Sequence, residues 1–109
     1  MIAGDLRRFE IEDVVPYKDG IGLMGRCISG PVRVGDVFVC IGKIEAERNE
    51  MGEVVVKKQP GMPINMKVLE IIYFNRSVEE LAVGCSGGLY VVGEGRELLA
   101  ARHEVSSSP

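Results

Sequence analysis

The sequence has no tryptophan, one histidine and three cysteines. Cys27, Cys40 and Cys85 are odd in number and contain no CxxC spacing, so spacing supplies neither a disulfide framework nor a zinc ligand set. No GxxxxGK[ST] loop is present, and nothing else in the chain implies a nucleotide, another cofactor or a metal. The lone His103 has no serine or cysteine motif that would place a nucleophile beside it, which argues against an enzyme. No apolar run approaches the roughly 18 residues of a membrane-spanning helix. The first residues, MIAGDLRRFEIED, meet acidic side chains before any run of signal-peptide length, so the expected setting is cytoplasmic and reducing. With 13 basic and 16 acidic side chains, the formal charge of -3 provides no global field for nucleic acid.

What is abundant is glycine, with 14 among 109 residues, in a chain that is 46% hydrophobic and 27% charged. That length and balance fit one soluble domain, and glycine scattered between short apolar runs points to strands and turns. The stretch from Gly20 to Asp36, GIGLMGRCISGPVRVGD, organises the reading. Gly20-x-Gly22-x-x-Gly25 has the spacing of a dinucleotide-binding loop, but Gly30-Pro31 follows too soon for the helix that such a loop opens. A glycine-punctuated β-hairpin is favoured instead, with Gly20, Gly22, Gly30 and Gly35 serving its turns.

Along the chain, residues 6–15 alternate as a strand, with Phe9, Ile11 and Asp13 on one face. Lys18-Asp19-Gly20 turns into a second strand over 21–29. Val37 to Ile41 reads as a strand buried on both faces and closed by Gly42. Residues 43–63 read as an excursion: Lys43 to Asn49 a helical turn, Met51-Gly52 a turn, Glu53 to Lys57 a strand, and Pro60-Gly61-Met62-Pro63 a loop. Asn65 to Phe74 is a strand burying Met66, Val68, Ile71 and Tyr73, with a bulge near Glu70 where the alternation slips. Asn75-Arg76-Ser77 and Gly84 to Gly88 read as turns, and Leu89 to Val92 as a strand. A short helix competes with a final strand over Arg96 to Arg102. The resulting fold class is all-β, a closed antiparallel barrel over residues 1–105 with a loose tail at 106–109.

The order of motifs carries a resemblance. Phe9-Glu10-Ile11-Glu12-Asp13-Val14, Gly20-x-Gly22-x-x-Gly25-Arg26, Ser29-Gly30 and Val34-Gly35-Asp36-x-Phe38 resemble the opening of domain 2 in the translational GTPases, elongation factor Tu among them. Val68 to Ile71, Ala82 to Gly84 and Gly88 to Val91 resemble its later strands. The resemblance implies a stand-alone Greek-key barrel of that type, without the nucleotide-binding domain. In elongation factor Tu this domain helps hold the aminoacylated end of tRNA with an aromatic residue and charged residues. Here Val15 falls at the aromatic position and Ile72 and Asn75 at charged ones. Cys85 replaces an acidic or amide residue, and Arg102 stands near an expected glycine.

The function expected from this reading is a non-catalytic interaction module that binds a protein partner. Its candidate contacts are Gly20, Gly22 and Arg26, and the acidic excursion with Glu47, Glu50 and Met51. Arg26 is also open to pairing with Glu12 or Asp13. The alternative is binding to the ribosome or structured RNA through Arg26, Lys57, Lys58 and Arg76. Oligomeric state has no signal in the sequence.

Overall fold

A computed structural model of the protein describes residues 6–48, 50–58 and 61–108, with only the backbone described over 43–48 and 55–58. Alternating apolar residues and glycine-bearing turns yield ten strands: β1 (Arg8–Tyr17), β2 (Gly20–Ser29), β3 (Val32–Arg33), β4 (Val37–Arg48), β5 (Val54–Lys58), β6 (Met62–Tyr73), β7 (Arg76–Val78), β8 (Glu80–Leu81), β9 (Ser86–Glu94) and β10 (His103–Ser106). Among the described residues one 3-10 turn, Arg96–Leu98, leads towards β10. No helix among the described residues is long and apolar enough to cross a membrane.

The pairing order β4-β10-β1-β2-β9-β6, closed by β4 against β6, makes a six-stranded antiparallel barrel. Closure pairs each of these strands on both sides and leaves no open edge in the ring. Phe9, Ile11, Leu23, Phe38, Met66, Val68, Ile71, Leu89, Val91 and Val105 fill the interior. These residues come from all six strands, so the core is what closure buries.

Two bulges determine which residues face outward. On β1 the register against β2 shifts between Ile11 and Asp13, with Glu12 as the extra residue. Phe9 and Ile11 point inward before it and Val14 after it, which places Asp13, Val15 and Tyr17 on the outer wall. Asp13 therefore does not share a face with Phe9 and Ile11, as simple alternation predicts. On β6 the expected bulge falls between Val68 and Glu70, carrying Ile71 and Tyr73 inward and Ile72 outward.

The excursion is a β-hairpin arm. Residues 43–48 are strand, not a helical turn, and Ile44 to Arg48 pair with Lys58 to Val54; Asn49 lies outside the described residues. Gly42 does not close β4, and Val37 is substantially exposed, so Val37 to Ile41 is buried on one face only. Met62 and Pro63 belong to β6, opposite Ile41 and Cys40, while Pro60 lies outside the described residues. The turn after β6 is Phe74-Asn75, with Arg76 already in β7. Ser86 to Gly88 are strand as well, leaving Val83-Gly84 as the turn.

Residues 96–102 resolve into the 3-10 turn and a loop, and the final strand comes afterwards. Ser106 is its buried last residue rather than part of a tail, and the Ser107 N–H donates to the Arg7 carbonyl at 2.9 Å. Arg102, near the position where the family resemblance implies glycine, adopts φ +68° and donates its N–H to Ile11 at 2.7 Å. Beside it, Glu104 buries a carboxylate that is 1% exposed and accepts from the Arg8 guanidinium, the second contact being 2.9 Å.

The barrel depends on close backbone approach at Gly25. A Cβ there would stand 1.9 Å from the Glu10 carbonyl oxygen, an overlap that only backbone movement relieves. Gly25→Ala is expected to destabilise the fold by at least about 3 kcal/mol, measured by chemical denaturation. Arg8→Met, which strips the guanidinium from the buried carboxylate, should cost about 2–3 kcal/mol, whereas Arg33→Met at the exposed pair with Glu80 should cost less than about 1 kcal/mol.

Candidate functional site

The outer wall of the barrel carries an apolar cleft of about 170 Å³ lined by Val15, Tyr17, Gly22, Met24, Ile72, Gly88, Leu89 and Tyr90. Strand register builds it. Val15, Gly22, Tyr90 and Glu70 stand in one row across β1, β2, β9 and β6. Asp13, Met24, Gly88 and Ile72 stand in the next. Each row contains a glycine where an outward side chain would otherwise stand, and those two missing side chains form the floor. A Cβ on Gly88 would lie 3.1 Å from the Met24 sulfur, and one on Gly22 would lie 3.0 Å from Val15 Cγ2. Met24 is 45% exposed, although it is a large apolar side chain in mid-strand.

One end of the cleft is aromatic and charged. The Tyr17 and Tyr90 rings meet edge to face at 5.2 Å. Lys18 Nζ lies 5.3 and 5.5 Å from their centroids, within range of a cation–π interaction. Glu70 accepts from the Tyr17 hydroxyl at 3.1 Å and from Lys18 at 3.3 Å. The Lys18 hydrogen bond, followed by that from Tyr17, holds the Glu70 carboxyl below its ordinary pKa, and Glu70 in turn raises that of Lys18.

At the other end, Arg26 follows Met24 on the same face of β2, exposed and opposite Glu10 and Ser86. Its cross-strand neighbour is therefore Glu10 and not Glu12 or Asp13. Beyond Ile72, the β6–β7 turn presents Phe74, 81% exposed at φ +51° and in edge contact with Tyr73 at 4.5 Å. A bulky residue at positive φ with its ring in water is uncommon.

The structure separates the residues predicted as contacts. Gly20 and Gly22 are not an accessible loop: both are buried within β2 and neither has a positive φ. Close packing explains them, since a Cβ on Gly20 would lie 2.5 Å from the Val91 carbonyl oxygen. Gly22 nevertheless lies in the cleft, with Arg26 at its edge. Glu50 and Met51 are exposed at the tip of the arm, on the far side of the ring from β2. The Glu47 side chain lies outside the described residues, as do those of Lys57 and Lys58.

The basic candidates do not share one strand neighbourhood. Lys57 and Lys58 belong to β5, which pairs with β4, while Arg76 is exposed on β7. His103 is partly buried, with Nδ1 3.2 Å from the Ala101 carbonyl. No group of three or more His, Cys, Asp or Glu placed to hold a metal occurs among the described residues. Sequence reasoning overlooked Met24, Phe74 and the Tyr17–Lys18–Glu70–Tyr90 cluster. The signal for the cluster is the odd-numbered phase of Val15 and Tyr17, visible only once the Glu12 bulge is placed.

Because Glu70 is depressed, its contribution to the cluster is complete above the ordinary carboxylate pKa of about 4.3 and is lost as pH falls through its lower folded value. Lys18 works in the opposite sense: its contribution is complete below about 10.4 and is lost as pH rises through its raised value. Tyr17 ring resonances followed by NMR should stay constant between about pH 5 and 9 and move below the carboxylate range. Glu70→Gln should abolish that acid transition.

No protein-family model and no curated protein matches the sequence. Solved structures do. Translation elongation factor SelB from Methanococcus maripaludis, in its apo form, matches with a TM-score of 0.65 and 20% identity, over 95% of this chain and 19% of that one. The same factor in complex with the GTP analogue GppNHp matches with a TM-score of 0.65 and 20% identity, over 99% of this chain and 21% of that one. The chain spans about a fifth of the length of these structures. Its fold is that of a translation-factor β-barrel, as the order of its glycine motifs predicts.

Proposed function

We propose that this barrel is a non-catalytic interaction module acting in translation, and that it binds a protein partner by receiving an apolar side chain in the outer-wall cleft. The observation that carries this reading is the cleft itself. The barrel has a complete interior core, yet two glycines in adjacent rows open a pit walled on the outside by Val15, Met24 and Ile72. An apolar pit with charged groups at its ends has the arrangement of a protein-binding hot spot with a polar rim. Phe74 supplies a second apolar contact beyond Ile72. The likeness to an elongation-factor barrel supports the setting in translation.

The cleft departs from the arrangement implied by the resemblance to elongation factor Tu. Val15 and Ile72, at the positions of an aromatic and a charged residue, are aliphatic walls of the same pit. That chemistry suits an apolar side chain better than a stacked base or a phosphate. Binding to the ribosome or structured RNA remains the alternative, and salt dependence separates the two.

The test is capture of partners by the tagged protein from an extract of its own cells, with and without nuclease and at two salt concentrations. A stoichiometric protein should survive nuclease and salt, and Met24→Glu should weaken its binding by about 30-fold or more, as expected for a charge placed in a hot spot. Ribosomal material that disappears with nuclease or salt would overturn the protein-partner reading in favour of RNA.

A further inference from the structure

We propose that Cys27 and Cys85 form a redox modification site, a thiol pair that closes into an intramolecular disulfide when a small-molecule disulfide such as oxidised glutathione is present. Chain topology brings the two together across the seam between β2 and β9. The ladder of these strands runs to Arg26 opposite Ser86, and the next residues on each side are Cys27 and Cys85. Cys27 donates its N–H to the Cys85 carbonyl at 3.0 Å, and Gly84 donates to the Cys27 carbonyl at 2.8 Å. With Gly84 at φ +86°, Gly84 and Cys85 together stand opposite Cys27 as a glycine bulge.

Facing residues of an antiparallel ladder have α-carbons about 4.5–5.5 Å apart, and the bulge keeps Cys85 in backbone hydrogen-bond contact with Cys27, which holds the pair near the range of about 4.4–6.8 Å that a disulfide spans. Both side chains also face the same way. Cys27 continues the inward series of Leu23 and Gly25 into the core, and Cys85 packs against that core.

The two thiols differ in ways that order the chemistry. Cys85 is partly exposed and Cys27 is fully buried. Burial pushes the Cys27 thiol up, and its Sγ–H points to the Ser29 carbonyl at 3.5 Å. The Tyr73 hydroxyl lies beside the more exposed sulfur, and Cys85 holds its pKa above the ordinary tyrosine value. Cys85, as thiolate, attacks one sulfur of the oxidant, giving a mixed disulfide and releasing one thiolate. Cys27 then gives up its proton and attacks Cys85 Sγ, expelling the second small thiol. Two protein thiols are oxidised by two electrons, and one small disulfide is reduced to two thiols. Cys40 takes no part, because it lies on β4, which pairs with neither β2 nor β9.

The experiment is incubation of the native protein with oxidised glutathione, then alkylation of free thiols and peptide mapping by mass spectrometry without reduction. Wild type and Cys40→Ser should both yield a Cys27–Cys85 cross-link with no retained glutathione. Cys27→Ala should hold glutathione on Cys85, and Cys85→Ser should form no cross-link. Cys85→Ser also serves as the variant at a partly exposed position should the buried substitution fail to fold. A wild-type protein that keeps its glutathione adduct on Cys85, leaves both thiols free or cross-links to Cys40 would overturn the proposal.

Discussion

The structure depends on how closely two backbones approach where β2 crosses β1. Gly25 sits over the Glu10 carbonyl with no room for a methyl group, and on the neighbouring strand β9 Gly93 does the same over Asn65 of β6. These contacts let long strands coil tightly enough for six of them to close. Once closed, the ring leaves the inward residues a single apolar interior and makes the outer wall a continuous surface. The site lies on that wall because β2 is paired on both sides along most of its length, by β1 and β9.

From that constraint the cleft follows with few further parts. The Glu12 bulge turns Val15 and Tyr17 outward, and the Leu69 bulge turns Glu70 and Ile72 outward, so that β1 and β6 flank one pit across β2 and β9. Gly22 and Gly88 open the floor between them. Bulges that re-aim side chains beside a site are a recurrent device in sheets. Here they carry the cluster of two tyrosines, a lysine and a glutamate as well as the apolar wall.

Much of the fold was legible because glycine and apolar alternation are local signals. The Gly20 to Asp36 pattern pointed to strand rather than a loop opening a helix, and Gly20–Ser29 is β2; the slip near Glu70 located the β6 bulge. The arm was harder. Lys43 to Arg48 has the composition of a helical turn, but pairing with Val54 to Lys58 overrides that local preference. Ser106 reads as a serine-rich tail from composition, yet it completes the ladder against Arg8 and Cys40. The candidate cleft was legible in part. Gly22 and Arg26 were named for an accessible loop and instead lie along one strand of the cleft, while Phe74 was missed because the turn was placed one residue late.

The central claim is that the outer-wall cleft receives an apolar group from a protein. The most direct measurement is site-specific photo-crosslinking in cell extract from a benzophenone amino acid placed at Met24, with Met62 as an exposed position on β6 away from the cleft lining. The account predicts one dominant nuclease-resistant protein adduct from position 24 that position 62 does not give. Adducts to RNA at position 24, or the same protein adducts from both positions, would contradict it.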